Sequence, residues 1–101
     1  VAKYLVLALN GPVEGDGQEE TYNRWYDEVH LPELRAVPGI VKATRYKVVQ
    51  SNQPWPYVAT YQIETDDLQA TMAAMQAGMG PFDPSFKREG SGNLLAIALG
   101  D

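Results

Sequence analysis

His30 is the chain's only histidine, and it stands four residues after Tyr26 and two before Pro32 in the run Trp25-Tyr26-Asp27-Glu28-Val29-His30-Leu31-Pro32. An imidazole with an unperturbed pKa of about 6.5 can accept or deliver a proton near neutral pH. Helical spacing from Tyr22 puts Tyr22, Trp25, Tyr26, Val29 and Glu33 on one face with His30 on its flank. Rings with polar tips suit a pocket wall better than a plain core, because buried Tyr and Trp need hydrogen-bond partners. Pro32 lacks an N–H and crowds the carbonyl four residues earlier, so the helix is expected to kink or end near Val29 to Leu31. Carbonyls freed there can be met by a side chain, water or a ligand, which gives His30 a second, structural reading as the group holding the kink. Loss of a structural histidine is expected to cost about 1 to 3 kcal/mol, whereas loss of a catalytic one is expected to spare stability.

Partners for a proton-transferring histidine are sought among the tyrosines. Tyr46, Tyr57 and Tyr61 fall on predicted strands, and Tyr46 and Tyr61 are the candidates to stand with His30 as catalytic residues, polarising a carbonyl oxygen or passing a proton. Strand propensity and packing explain tyrosines equally well. Arg45 alternates with Tyr46, so only one of the two shares a face with His30; Arg45 is read as solvated. Asp27 either orients His30 or forms a surface ion pair. Tyr22, Trp25, Tyr26 and Met72 are the candidate substrate-binding residues. Met72, Met75 and Met79 can instead form a core stripe at helical spacing. Trp55, between two prolines, reads as an anchor for a partner subunit or as a lid.

The chemistry excluded is also informative. With no cysteine and one histidine, disulfides, thiolate nucleophiles and zinc sites are not expected, and the Asp66-Asp67 pair lacks companion ligands. No phosphate loop or nucleophile elbow occurs, and no cofactor or metal is expected. A net charge of -5 argues against a nucleic-acid partner. No apolar run approaches the roughly 20 residues of a membrane helix, and Tyr4 to Leu9 is too short for a signal peptide, so a cytoplasmic protein is the default expectation.

The elements that must position these residues are set by periodicity and punctuation. At 101 residues, 45% hydrophobic and 21% charged, the chain is expected to be one domain over residues 1–101. Lys3 to Leu9 reads as a buried strand ended by Asn10-Gly11-Pro12. A helix is predicted from about Glu19 to Val37, with Asp16 and Glu19 forming a capping box. Strands follow at Ile40 to Gln50 and Tyr57 to Glu64, then a helix capped by Thr65 or Asp66 and running to about Gln76. A Gly- and Pro-rich loop pinned by Phe82 and Phe86 leads to a last strand, Leu94 to Leu99.

The order β-α-β-β-α-β predicts an α+β ferredoxin-like fold: a four-stranded antiparallel sheet with two helices on one face. Strand one is apolar in both phases, Leu5, Leu7 and Leu9 in one and Tyr4, Val6 and Ala8 in the other. Such a strand is buried on both sides, so a second copy is expected to cover the bare sheet face, forming a homodimer. A charge at Val6 or Ile97 is expected to impair folding or assembly, with the phase open by one residue.

The run from Tyr26 to Pro32 followed by Val37-Pro38-Gly39-Ile40 resembles the helix-end signature of EthD-like proteins of the dimeric α/β-barrel superfamily. The resemblance implies a dimeric α/β barrel and marks Trp25, His30 and Pro32 as signature positions, with His30 facing a cleft and Tyr26 in place of an aromatic four residues before it. Relatives in polyketide pathways act without a cofactor, as decarboxylases, cyclases or monooxygenases. The function implied is a cofactor-free lyase, cyclase or isomerase acting on an apolar or aromatic carbonyl compound. The alternative is a non-catalytic binding or accessory protein for a hydrophobic metabolite. The lack of a second histidine departs from many relatives and leaves tyrosines or carboxylates as partners for His30.

Overall fold

The computed structural model describes residues 1–100. Strand β1 (Ala2–Asn10) is followed by a helix in three parts: α1 (Gln18–Trp25), a π-helical turn (Tyr26–His30) and α2 (Leu31–Arg35). Strands β2 (Ile40–Lys47) and β3 (Tyr57–Thr65), helix α3 (Leu68–Gly78) and strand β4 (Gly92–Ile97) complete the chain. The sheet order is β2-β3-β1-β4 with every neighbouring pair antiparallel, so the expected ferredoxin-like α+β fold is the observed one. No helix among the described residues is long and apolar enough to cross a membrane.

The register separates the two faces of the sheet. Val6 pairs with Tyr61 and with Leu95, and Leu7 pairs with Thr60 and Leu94. Because paired residues point to the same side, Tyr4, Val6, Ala8 and Asn10 share a face with Tyr57, Ala59, Tyr61 and Ile63. That face carries the core, with Tyr22, Tyr26, Leu34, Tyr61 and Ile63 all almost fully enclosed. Burying Leu34 alone contributes about 1.5–3 kcal/mol. The opposite face presents Leu5, Leu7, Leu9 and Leu94, each at least partly exposed.

The π-helical turn is the largest departure from the sequence reading. The helix neither ends nor breaks before Pro32; instead the Leu31 N–H bonds to the Tyr26 carbonyl, five residues back. The wide turn takes in one extra residue just before the proline, whose missing N–H then falls in the first turn of α2, where prolines are tolerated. The extra residue also changes which side chains share a face. In a regular α-helix, residues five apart lie about 140° apart around the axis, yet Trp25 and His30 stack with ring centroids 4.8 Å apart at 23°. Val29, expected on the aromatic face, is turned out and 43% exposed, whereas His30 is turned in.

Local chemistry corrects three smaller expectations. The first helix is preceded by Gly17 in a left-handed conformation with no side-chain cap, so the Asp16–Glu19 box does not form. The cap of α3 is Asp67, whose carboxylate accepts from the Ala70 N–H at 3.1 Å. Val6 lies under the helices and is 8% exposed, which moves the charge-sensitive position of the bare face to its neighbours Leu5 and Leu7. The step Val37-Pro38-Gly39-Ile40 forms a tight turn: Ile40 N–H donates to Val37 O at 3.2 Å, and Gly39 has φ 97°, a value that a side chain would oppose.

Candidate functional site

A cleft of about 470 Å³ lies between the sheet, the π-helical turn, α3 and the following loop. Its polar lining includes Asn10, Tyr26, His30 and Tyr61, and its apolar lining includes Met72, Met75 and Phe82. Of the candidate residues, His30, Tyr61, Tyr26 and Met72 therefore meet at one cavity. Tyr22 and Trp25 are buried behind this lining: Trp25 backs the His30 ring, and Tyr22 makes an edge contact with Tyr26 at 5.6 Å.

Tyr46 does not join them. It pairs with Val58 on the opposite side of the sheet and is 53% exposed. A register shift between Ile40 and Lys42 sets the phase of β2 and turns Arg45 toward the helices. The expected solvated Arg45 is corrected accordingly. Its guanidinium lies 4.4 Å from the Tyr26 ring centroid and 5.2 and 5.1 Å from those of Tyr22 and Tyr57. It donates to Asp27 at 2.9 Å and to Asn23 at 2.8 Å, so Asp27 pairs with Arg45 and does not orient His30. Trp55 is tied to the chain's own loop, its indole N–H donating to Gly90 O at 2.7 Å.

The phenols form a directed network. Tyr22 donates to the Asn10 Oδ1, the Asn10 amide donates to the Tyr26 oxygen at 3.4 Å, and the Tyr26 and Tyr61 hydroxyls lie 3.4 Å apart. Burial pushes the Tyr22 and Tyr61 phenols well above the ordinary tyrosine range, and the neighbouring Tyr26 phenol adds to the effect. That direction favours the protonated Tyr61 phenol. Asn10 carries a role its sequence context hides: beside Gly11-Pro12 it reads as a turn residue, although continuing the strand's alternation from Tyr4, Val6 and Ala8 places it inward.

His30 is 4% exposed, stacked on Trp25 and set edge-on to Tyr26 and Phe82, each with centroids 4.9 Å away. Its Nδ1 faces the Glu33 Oε1 at 3.6 Å, beyond hydrogen-bond length, and both atoms are buried without a partner. Burial holds the His30 pKa below its usual value, with Glu33 opposing that shift. That direction favours the neutral imidazole, the form a base needs. Among the described residues no carbonyl is bonded to His30, so the expected kink-holding hydrogen bond is not formed, while burial and stacking give the ring a packing role beside any chemical one. They also show that His30→Ala would open a cavity costing about 2–4 kcal/mol whatever the ring's role, so that variant does not separate catalysis from structure.

The lowered pKa makes stability depend on pH. The unfolded chain binds a proton at His30 below about pH 6.5, and the folded chain binds it only at lower pH. Stability is therefore expected to be flat above that point and to fall as pH drops from about 6.5 through the native pKa. Denaturant midpoints at pH 7.5 and 5.5 should show this loss in the wild type and a smaller one in His30→Phe.

Among the described residues, no three of His, Asp and Glu gather as a metal-holding group. No protein-family model matches the sequence, and no curated protein matches it. Solved structures do, and they define the class of fold. The chain has the EthD-like, ferredoxin-like α/β fold. An ethyl tert-butyl ether D (EthD) family protein from Bacillus halodurans covers 98% of this chain over 100% of its own, at 12% identity and a TM-score of 0.56. A DABB family protein with a ferredoxin-like fold from Mesorhizobium loti covers 99% over 100% of its own, at 9% identity and a TM-score of 0.67. A dimeric ferredoxin-like protein from an uncultured marine organism covers 99% over 90% of its own, at 14% identity and a TM-score of 0.64.

Proposed function

We propose that the protein is a homodimer that binds a small apolar or aromatic carbonyl compound in the cleft and moves a proton next to the carbonyl with His30. The observation that carries this reading is a buried imidazole, its Nδ1 without a hydrogen-bond partner among the described residues, on the wall of a cleft that also holds two phenols. With Nδ1 toward Glu33, Nε2 is the nitrogen left for a substrate C–H or O–H. One of the Tyr26 and Tyr61 hydroxyls donates to the other, and the hydroxyl hydrogen left free is the donor for an oxygen that gains negative charge as the proton leaves, with Asn10 supporting the pair. Abstraction and return of a proton balance without an oxidant in isomerisation and in aldol-type cyclisation, where the proton goes to the new alkoxide. In dehydration the proton leaves with the hydroxyl as water, and in decarboxylation His30 only delivers a proton to the carbon that has lost CO2.

The homodimer reading rests on the uncovered leucines of the second sheet face and on a similar solved structure described as dimeric. A large apolar patch of this kind is a liability unless covered. A second functional reading, binding without chemistry, is favoured by the bond of Tyr22 to Asn10 and of Tyr26 to Tyr61, which leave a stable aromatic wall without a ligand.

The two are separated by isotope exchange. With 1-tetralone in D2O, the protein is expected to speed deuterium entry at the carbon beside the carbonyl, followed by proton NMR. Binding of 1-tetralone with exchange at the buffer rate would leave only the carrier reading.

A further inference from the structure

We infer that Glu33 is the positioning residue for His30: its carboxylate, clamped on one oxygen by the Gly80 N–H, fixes the imidazole proton on Nδ1 and leaves the Nε2 lone pair facing the cleft. The inference builds on the reading of His30 as the proton-transfer group. Glu33 lies three residues after His30 and is only partly exposed, so both groups are anchored on one helical segment. Its Oε2 accepts from the Gly80 N–H at 2.9 Å, which orients the carboxylate and directs the other oxygen, Oε1, at Nδ1. Both facing atoms are buried and have no other partner. A buried polar atom without a partner is costly, and here each is the only group placed to satisfy the other. At 3.6 Å, a movement of a few tenths of an ångström closes the Nδ1–H to Oε1 bond. Contacts of this kind tighten when a ligand fills the site.

Gly80 is suited to the clamp because a Cβ there would lie 2.7 Å from the Glu33 Oε2. The same loop carries Phe82, whose ring packs against His30, so loop, carboxylate and imidazole form one unit. A carboxylate accepts hydrogen bonds only, so it selects the tautomer that has a hydrogen on Nδ1.

The single histidine makes the test unambiguous, since one pair of ring nitrogens gives all the signals. In 15N-histidine-labelled wild type at pH 7.5, Nδ1 is expected at the protonated shift and Nε2 at the lone-pair shift. In Glu33→Gln the Gly80 N–H keeps the amide oxygen in place, so the amide NH2 faces Nδ1 and donates to it. The tautomer should then reverse, and deuterium exchange into 1-tetralone should fall by about 10-fold or more. Wild-type His30 protonated on Nε2, or a tautomer unchanged in Glu33→Gln, overturns the inference. If Glu33→Gln does not fold, the wild-type tautomer still decides. A wild type with the expected tautomer but no exchange counts against the catalytic reading and leaves the positioning geometry standing.

Discussion

Replacing His30 with phenylalanine is expected to cut deuterium exchange into 1-tetralone by at least about 100-fold, the usual contribution of a general base, while leaving a folded chain whose thermal midpoint lies close to that of the wild type. The stacked ring on Trp25 and the edge contacts with Tyr26 and Phe82 can be kept by a phenyl group of similar shape. The loss is confined to the pair of ring nitrogens, of which Nδ1 is buried and unsatisfied. The facing Glu33 Oε1 then has no nitrogen to meet, a cost opposed by no longer burying the polar Nδ1. A folded, stable His30→Phe protein that retains full exchange would show that another group takes the proton.

The second large effect concerns assembly. Leu7→Asp is expected to convert the proposed dimer into monomers or an unstable chain, because Leu7 lies between Thr60 and Leu94 at the middle of the helix-free sheet face. An aspartate buried in a dimer core without a partner costs several kcal/mol, enough to dissociate an interface of ordinary size. Light scattering at micromolar concentration gives the result. A wild-type monomer, or a Leu7→Asp protein of unchanged mass, argues against this interface. Glu20→Lys, exposed on α1 away from this sheet face, should leave the mass unchanged.

Much of the fold is legible in the sequence because β1 and β3 carry long apolar or alternating runs and each is bounded by turn residues. The helix-borne half of the cleft is legible in its residue types but not in its rotation. Pro32 predicts a disturbance, yet only tertiary packing decides whether a helix ends, kinks or widens, and here the wide turn stacks His30 on Trp25 and leaves Val29 outside. Tyr46 escapes the sequence reading for a similar reason: Arg45 and Tyr46 alternate, and the irregularity between Ile40 and Lys42 that fixes their phase leaves no mark in the sequence. Both phases of β1 are apolar, so alternation does not reveal that Val6 faces the helices and Leu7 the bare side. Glu33 reads as a member of the aromatic face, but its clamp depends on Gly80, forty-seven residues later.

The most direct measurement is a titration of isotopically labelled wild type with 1-tetralone, followed by NMR. Shifts centred on the His30 Cε1–H and on Tyr61, Met75 and Phe82, with Tyr46 unmoved, are expected of a ligand held in the cleft beside the imidazole. Binding with shifts centred on Tyr46 and the outer sheet face, and none at His30, would contradict it.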